Sequence, residues 1–310
     1  MRWLISTSHH HHHHSRAHAL FLAAVNPPNA TAHTSFLQSL PEITANKNQR
    51  VKNIKRLHHK QQRAKQKQFL VEGHRLFLDA MQAGMKLDLL FLDQTAFTHP
   101  QGQTLAQELL NRRAQLHGKV FRVPRTVISE CCDTETPQGI VASFQLDCPP
   151  LPPAPTFVLV LEGISDPGNM GTLLRSAAGA GADAALVIKG STDVWGPKAL
   201  RAGMGAQFRL PIFSMVDWDS AAEQLNSWGC AVHAADGVAE SLYTDVSWKE
   251  PTALIIGAEA HGVSQAVKAD VRTSCFRIPM AYGLESLNAA AAGSIALYEV
   301  YRQRKLGNRG

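Results

Sequence analysis

From Phe157 onward short apolar runs alternate with stretches of helical period. Phe157 to Glu162, Ala184 to Lys189, Ala231 to Ala235, Ala253 to Gly257 and Phe276 to Pro279 read as strands, and Met170 to Gly181 as the helix after the first of them. This alternation predicts an α/β fold with a mostly parallel sheet under helices. A last helix, Ser286 to Arg304, repeats Leu287, Ala291, Ile295 and Tyr298, and Leu297, Val300 and Tyr301 add a second apolar face. Helices apolar on two sides are usually buried on both, which points to an oligomer interface.

Upstream, Phe69 to Gly73, Leu87 to Leu92, Lys119 to Val123 and Gly139 to Phe144 read as strands. An amphipathic stretch through Leu76, Phe77, Ala80 and Met81 ends at Gly84, and a helix is expected near Leu105 to Leu116. Together these make a small α/β domain over residues 42–147. The run from Cys148 to Pro155 is rich in proline and favours extended polyproline II, so residues 148–156 are expected as a semi-rigid linker and 157–310 as a second domain.

A chain of 310 residues, 45% hydrophobic and 18% charged, suits two ordinary domains. No apolar run approaches the roughly 20 residues that span a bilayer. Five cysteines show neither metal-ligand spacing nor an even disulfide framework, which implies a reducing compartment, the cytoplasm by default, and no metal. Residues 1–41 hold Arg2, Arg16 and a His run at 9–14 with no acid before Glu42, and are expected to lie outside the fold. A tag, a start placed too far upstream or a transit peptide would each explain them; the last would address the chain to a mitochondrion or plastid.

Charge is concentrated. Lys47, Arg50, Lys52, Lys55, Arg56, Lys60, Arg63, Lys65 and Lys67 fall between Glu42 and Glu72 with no acid among them, all round a helix whose narrow apolar stripe is Val51, Ile54 and Leu57. Such a run is often a solvated face, yet unpaired cations repel one another, and phosphate contacts offset that repulsion. Nucleic acid is the expected partner.

Three polar stretches follow predicted strands, where open α/β sheets bind ligands. Asp166-Pro167-Gly168-Asn169-Met170-Gly171-Thr172-Leu173-Leu174-Arg175 offers a tight turn, a capping Asn169 and helix-start amides. Asn169 and Arg175 face one cleft only if Asn169 precedes the helix; otherwise Arg175 is a surface residue. A dinucleotide fingerprint is a poor fit, since its first pair of glycines is missing. In Gly257-Ala258-Glu259-Ala260-His261-Gly262 the carboxylate binds a hydroxyl, orients a base or caps the next helix. In Arg277-Ile278-Pro279-Met280-Ala281-Tyr282-Gly283-Leu284-Glu285-Ser286-Leu287-Asn288, Ser286 and Asn288 suit a helix start.

In this order and spacing the three stretches resemble the motifs of the SpoU, or TrmH-like, branch of the knotted SPOUT methyltransferases, over residues 157 to about 305. Asn46 to Asp79 with Glu135-Thr136-Pro137-Gln138-Gly139-Ile140-Val141 resembles the L30e-like substrate-binding domain of the rRNA-modifying members. The resemblance implies a deep trefoil knot, a homodimer, and S-adenosylmethionine held by backbone groups around Gly257, Ile278, Met280 and Leu287. Asn169, Arg175, Glu259, Ser286 and Asn288 match the family's polar residues. Ala260, Tyr282 and Ala289-Ala290 depart from it, and Tyr282 is expected to narrow the cofactor pocket or RNA entrance.

The implied activity is methylation of a ribose 2′-hydroxyl, with large-subunit rRNA favoured over tRNA. Guanidinium stays protonated at ordinary pH, so Arg175 is read as pairing with RNA phosphate and stabilising developing alkoxide charge. Asn169, Ser286 and Asn288 hold the ribose and helix starts, and Glu259 orders the loops. The alternatives are a tRNA 2′-O-methyltransferase and an inactive knotted RNA-binding protein.

Overall fold

The computed structural model describes residues 30–306, so the His run, the rest of 1–29 and residues 307–310 lie outside the described residues. Helix α1 (Ala30–Ser39) differs from the expectation that residues 1–41 stand apart from the fold. Its Leu37 is buried in the first core, with Phe36 and Leu40 packed against it, because three large apolar residues within one helical turn need cover.

The basic run is two helices, α2 (Gln49–Arg56) and α3 (Lys60–Gln66), rather than one. Asn48 caps α2, its side chain accepting the Arg50 amide at 2.8 Å. The break at His58-His59 is closed by Arg63, whose Nη1 donates to the carbonyls of Leu57 and His58. Then come β1 (Gln68–Glu72), α4 (His74–Gln82), β2 (Leu87–Leu92), α5 (Thr95–Thr98), α6 (Gly102–Asn111), β3 (Val120–Arg122), α7 (Arg125–Cys131) and β4 (Ile140–Gln145). α6 thus starts and stops earlier than the expected Leu105 to Leu116. The strands order as β1-β4-β2-β3, antiparallel except for β2 with β3. Strand alternation sends Phe69 and Val71 into one core and Leu70 into the other, where the stripe Val51, Ile54 and Leu57 covers it.

Residues 146–156 carry no helix or strand. Beyond them run β5 (Phe157–Leu161), α8 (Pro167–Gly179), β6 (Ala184–Ile188), α9 (Pro197–Gly203), β7 (Ile212–Met215), α10 (Trp218–Ser227), β8 (Ala231–Ala235), β9 (Thr252–Ile256), α11 (Gln265–Ala269), β10 (Thr273–Phe276) and α12 (Ala289–Tyr301). Six strands order as β10-β8-β9-β5-β6-β7, every pair parallel. Cores lie on both faces, as a parallel sheet requires. The two sheets meet through Phe69, whose ring centroid lies 4.8 Å from that of Trp195 and 5.8 Å from that of Phe208.

The end of the chain is tied to the start of the second sheet. Arg304 donates from Nε to the Trp248 carbonyl at 2.6 Å and from Nη2 to the carbonyls of Thr156 and Glu250, each at 2.7 Å, with its guanidinium over the Phe157 ring. Among the described residues no helix is long and apolar enough to cross a membrane.

Candidate active site

The order in which strands are added reverses between the parallel neighbours β5 and β9: β5 is followed by β6 on one side, and β9 leads to β10 on the other. The crevice at the carboxyl ends of such strands is where open parallel sheets hold ligands. All three polar stretches converge there.

The turn after β5 leads into α8. Asp166, not Asn169, is its cap, accepting the Asn169 amide at 2.8 Å, and Pro167 stands in the first turn where no amide partner is needed. Asn169 is therefore inside the helix, and its side chain is free to reach across. Gly171 is required by packing: a Cβ there would meet the Ala199 carbonyl at 2.3 Å, so α8 and α9 touch backbone to backbone.

After β9, Ala258 pairs with Gly262 in a tight turn that folds over Gly257, where a Cβ would lie 2.2 Å from Gly262. Glu259 projects from that turn. Glu162, at the end of β5, locks the same segment by accepting the Ser264 amide at 2.6 Å and its hydroxyl at 2.9 Å. Asn288 caps α12, its Oδ1 accepting the amides of Ala290 at 2.9 Å and Ala291 at 3.2 Å.

These placements make one network. Asn169 Nδ2 donates to Glu259 Oε1, and Asn288 Nδ2 donates to Asn169 Oδ1 at 3.1 Å and Glu259 Oε1 at 3.2 Å. Capping fixes the Asn288 amide, so its donor end points at the other two. Ser286 stands two residues before the cap, exposed and outside the helix start expected for it. Arg175 is also apart: exposed, making no hydrogen bond or ion pair within the described chain, and six residues along α8 from Asn169, about 120° round the helix axis.

Beside the network lies a cleft of about 530 Å³, lined by Gly257, Ile278, Met280 and Leu287 together with Glu259 and Ser286. That volume suits a small-molecule site, and apolar side chains beside backbone groups suit a flat heterocycle with polar edges. Tyr282 does not narrow it. This residue is fully exposed at φ +59° and does not line the cleft, because its left-handed backbone turns the side chain out to solvent. Ala289 and Ala290, where the sequence departs from the family, are buried in the core at the start of α12; Ala289 also lines the cleft, and only the backbone amide of Ala290 meets the network, donating to Asn288 Oδ1.

On the first unit, Lys47, Arg50, Lys52, Arg56, Lys60, Lys65 and Lys67 are exposed with no carboxylate partner among the described residues, and Arg50 lies over the Phe121 ring at 4.8 Å. Lys55 pairs with Glu130 at 2.8 Å. Arg63 departs from the expected role as an RNA-facing cation. Its side chain is 6% exposed and pairs with Asp193 at 2.7 Å. The stretch Glu135 to Val141 is structural: Gln138 Oε1 accepts the His74 amide at 3.1 Å, and the Pro137 carbonyl accepts from Arg125 at 2.8 Å. Burial pushes the Cys131 thiol up to about 12 and raises Cys132 too, which leaves both unreactive near neutral pH.

Sequence reasoning missed Glu162, Ser264 and the capping role of Asp166. An Asp directly before Pro at a helix start was the available signal for the last; Glu162 and Ser264 meet across 102 residues and left none.

Residues 156–298 match the SpoU rRNA Methylase family, and residues 48–142 match the MRM3-like substrate binding domain. The chain is 30% identical to the 23S rRNA (guanosine(2553)-2′-O)-methyltransferase RlmP of Bacillus subtilis, over 84% of this chain and 99% of that protein. It is 33% identical to the mitochondrial rRNA methyltransferase 3A of Danio rerio, over 78% of this chain, and spans 65% of that longer protein. The AdoMet-bound rRNA methyltransferase from Sinorhizobium meliloti superimposes with a TM-score of 0.73 at 29% identity, over 84% of this chain and 97% of that one.

Proposed function

The chain belongs to the SpoU rRNA methylase family, a family of S-adenosylmethionine-dependent RNA methyltransferases, and from that premise we propose that it methylates a ribose 2′-hydroxyl of large-subunit ribosomal RNA. The observation that carries this reading is the convergence of Asn169, Glu259 and Asn288 beside the cleft.

Gly257, Ile278, Met280 and Leu287 would hold the cofactor, whose bound sulfonium supplies an electrophilic methyl group. A ribose hydroxyl is a poor nucleophile at neutral pH, so the protein must fix it in line and stabilise charge as its proton leaves. Asn169 and Asn288 offer amide groups for the sugar, and Glu259 holds both amides in place. Ser286 is a further contact at the mouth of the cleft. Arg175, solvated and unpaired among the described residues, is available to an RNA phosphate and to developing alkoxide charge.

The exposed cations of α2, α3 and their flanks grip folded RNA by its backbone, and shape presents one nucleotide to the cleft. Residues 42–147 then form an RNA-binding domain joined by 148–156 to the methyltransferase domain, in which we propose the trefoil knot of the fold family. Ile295 and Tyr298 remain exposed on α12 while its other side is buried, which supports a homodimer through this helix. Relatives include both bacterial and mitochondrial proteins. The cytoplasm is the proposed compartment, with a mitochondrion the alternative if residues 1–41 act as an address.

Transfer of label from S-adenosylmethionine to ribosomal and transfer RNA fractions, kept separate and mapped for ribose methylation, tests the proposal. Label at one 2′-hydroxyl of ribosomal RNA is the expected outcome. Label confined to transfer RNA would reassign the substrate, and cofactor binding without transfer to either fraction would leave an RNA-binding protein.

A further inference from the structure

The seam between the two sheets holds one buried cation. Arg63 donates from Nε to Asp193 Oδ2 at 2.8 Å, its Nη2 lies 2.7 Å from the same oxygen, and its Nη1 reaches the carbonyls of Leu57 at 2.8 Å and His58 at 2.9 Å. Those carbonyls form the turn between α2 and α3. A single planar group therefore closes the turn of the basic helices and binds a carboxylate of the other unit.

Asp193 is fixed on its own side, its Oδ1 accepting the Trp195 amide at 3.2 Å, and the Trp195 ring packs on Phe69. One residue earlier the Thr192 amide donates to the Ile164 carbonyl at 2.7 Å, and the Ile164 amide donates to Ser191 Oγ at 3.2 Å. Ile164 lies in the turn that runs from β5 to Asp166 and Asn169. A short bonded route thus joins the basic helices to the base of the hydrogen-bond network.

A cation meant for phosphate stays solvated, whereas a guanidinium this enclosed is committed to geometry, and lysine has no planar fork to serve an acid and two carbonyls together. We infer that Arg63 is a positioning residue, which sets the offset between the basic helices and the cleft and so decides which nucleotide of a gripped RNA meets Asn169. The inference rests on reading α2 and α3 as the RNA-gripping surface. Small misplacements of bound groups are costly in rate, on the order of 100-fold for 1 Å.

Arg63→Lys and Asp193→Asn test it, with cofactor and RNA titrations beside single-turnover methylation and positional mapping. Cofactor and RNA affinities are expected to stay within about threefold, while the methylation rate falls about 10- to 100-fold and label spreads to neighbouring riboses. A folded variant with unchanged rate and position overturns the inference; so does a loss of cofactor affinity matching the loss of rate, since Arg63 would then merely prop the cleft. Should both variants fail to fold, small-angle X-ray scattering of the unaltered chain decides. One fixed arrangement of the two units supports the inference and an ensemble of hinge angles overturns it. A parent that methylates no RNA overturns the functional reading and this inference with it, whereas a working parent with indifferent variants overturns the inference alone.

Discussion

Lys52, Arg56 and Lys60 stand on an exposed surface with no carboxylate partner among the described residues, whereas Asn169, Glu259 and Asn288 bond one another where three loops of the second sheet meet. Cations on long, solvated stems act on a phosphate backbone nearly additively, each releasing its own counterions. Groups that hold each other in place act as a unit, and removing one disables the others. The first surface should yield gradually to substitution and the second all at once.

The sharpest break of that contrast would come from the network. Glu259→Gln and Asn288→Ala are each expected to lower kcat/KM by about 100-fold or more, with the double variant little worse than either. Losses that multiply would show the three groups acting separately. Arg175→Ala should abolish turnover and leave cofactor affinity nearly intact, because Arg175 stands outside the cleft; equal loss of both would place it in the cofactor site.

Next in size is Gly257→Ala. Its Cβ would run into the backbone of Gly262 and Val263, so a cost of about 1–3 kcal/mol is expected, read as a lower melting temperature with weakened cofactor binding. On the gradual side, replacing Lys52, Arg56 and Lys60 with Gln should reduce the slope of log affinity against log salt by about 0.7 to 0.9 per cation. Lys55→Gln should change it less, since Glu130 already neutralises Lys55. An unmoved slope would mark the run as a solvated face.

The smallest effect concerns pH. Burial beside Trp248 lowers the His233 pKa, so the folded chain holds this imidazole neutral where the unfolded chain protonates it, near pH 6.5. Stability from this site is present above that value and is lost as pH falls toward the folded pKa. Melting curves should therefore show an acid-side decline that His233→Gln flattens.

Much of the second sheet was legible because fully buried strands such as Phe157 to Leu161 and Ala184 to Ile188 read as apolar runs. Strand β7 was not, since Ile212 to Met215 forms a half-buried edge directly after Pro211. The network residues were legible as motif positions, but which of them touch was not: Asn169 and Glu259 are 90 residues apart. Arg63 shows the limit most clearly. In the sequence it is one more cation of the run, and the carboxylate that pairs with it, Asp193, lies 130 residues later.

Arg304 reaches back across 148 residues to Thr156, and β9 is inserted between strands β5 and β8 that precede it in the chain. During synthesis the first unit has all its residues early and can fold while the rest is still being made. The parallel sheet has no such freedom. It waits for an inner strand and then for Arg304, so a nascent chain stopped short of that residue carries a finished first sheet and a second one still open.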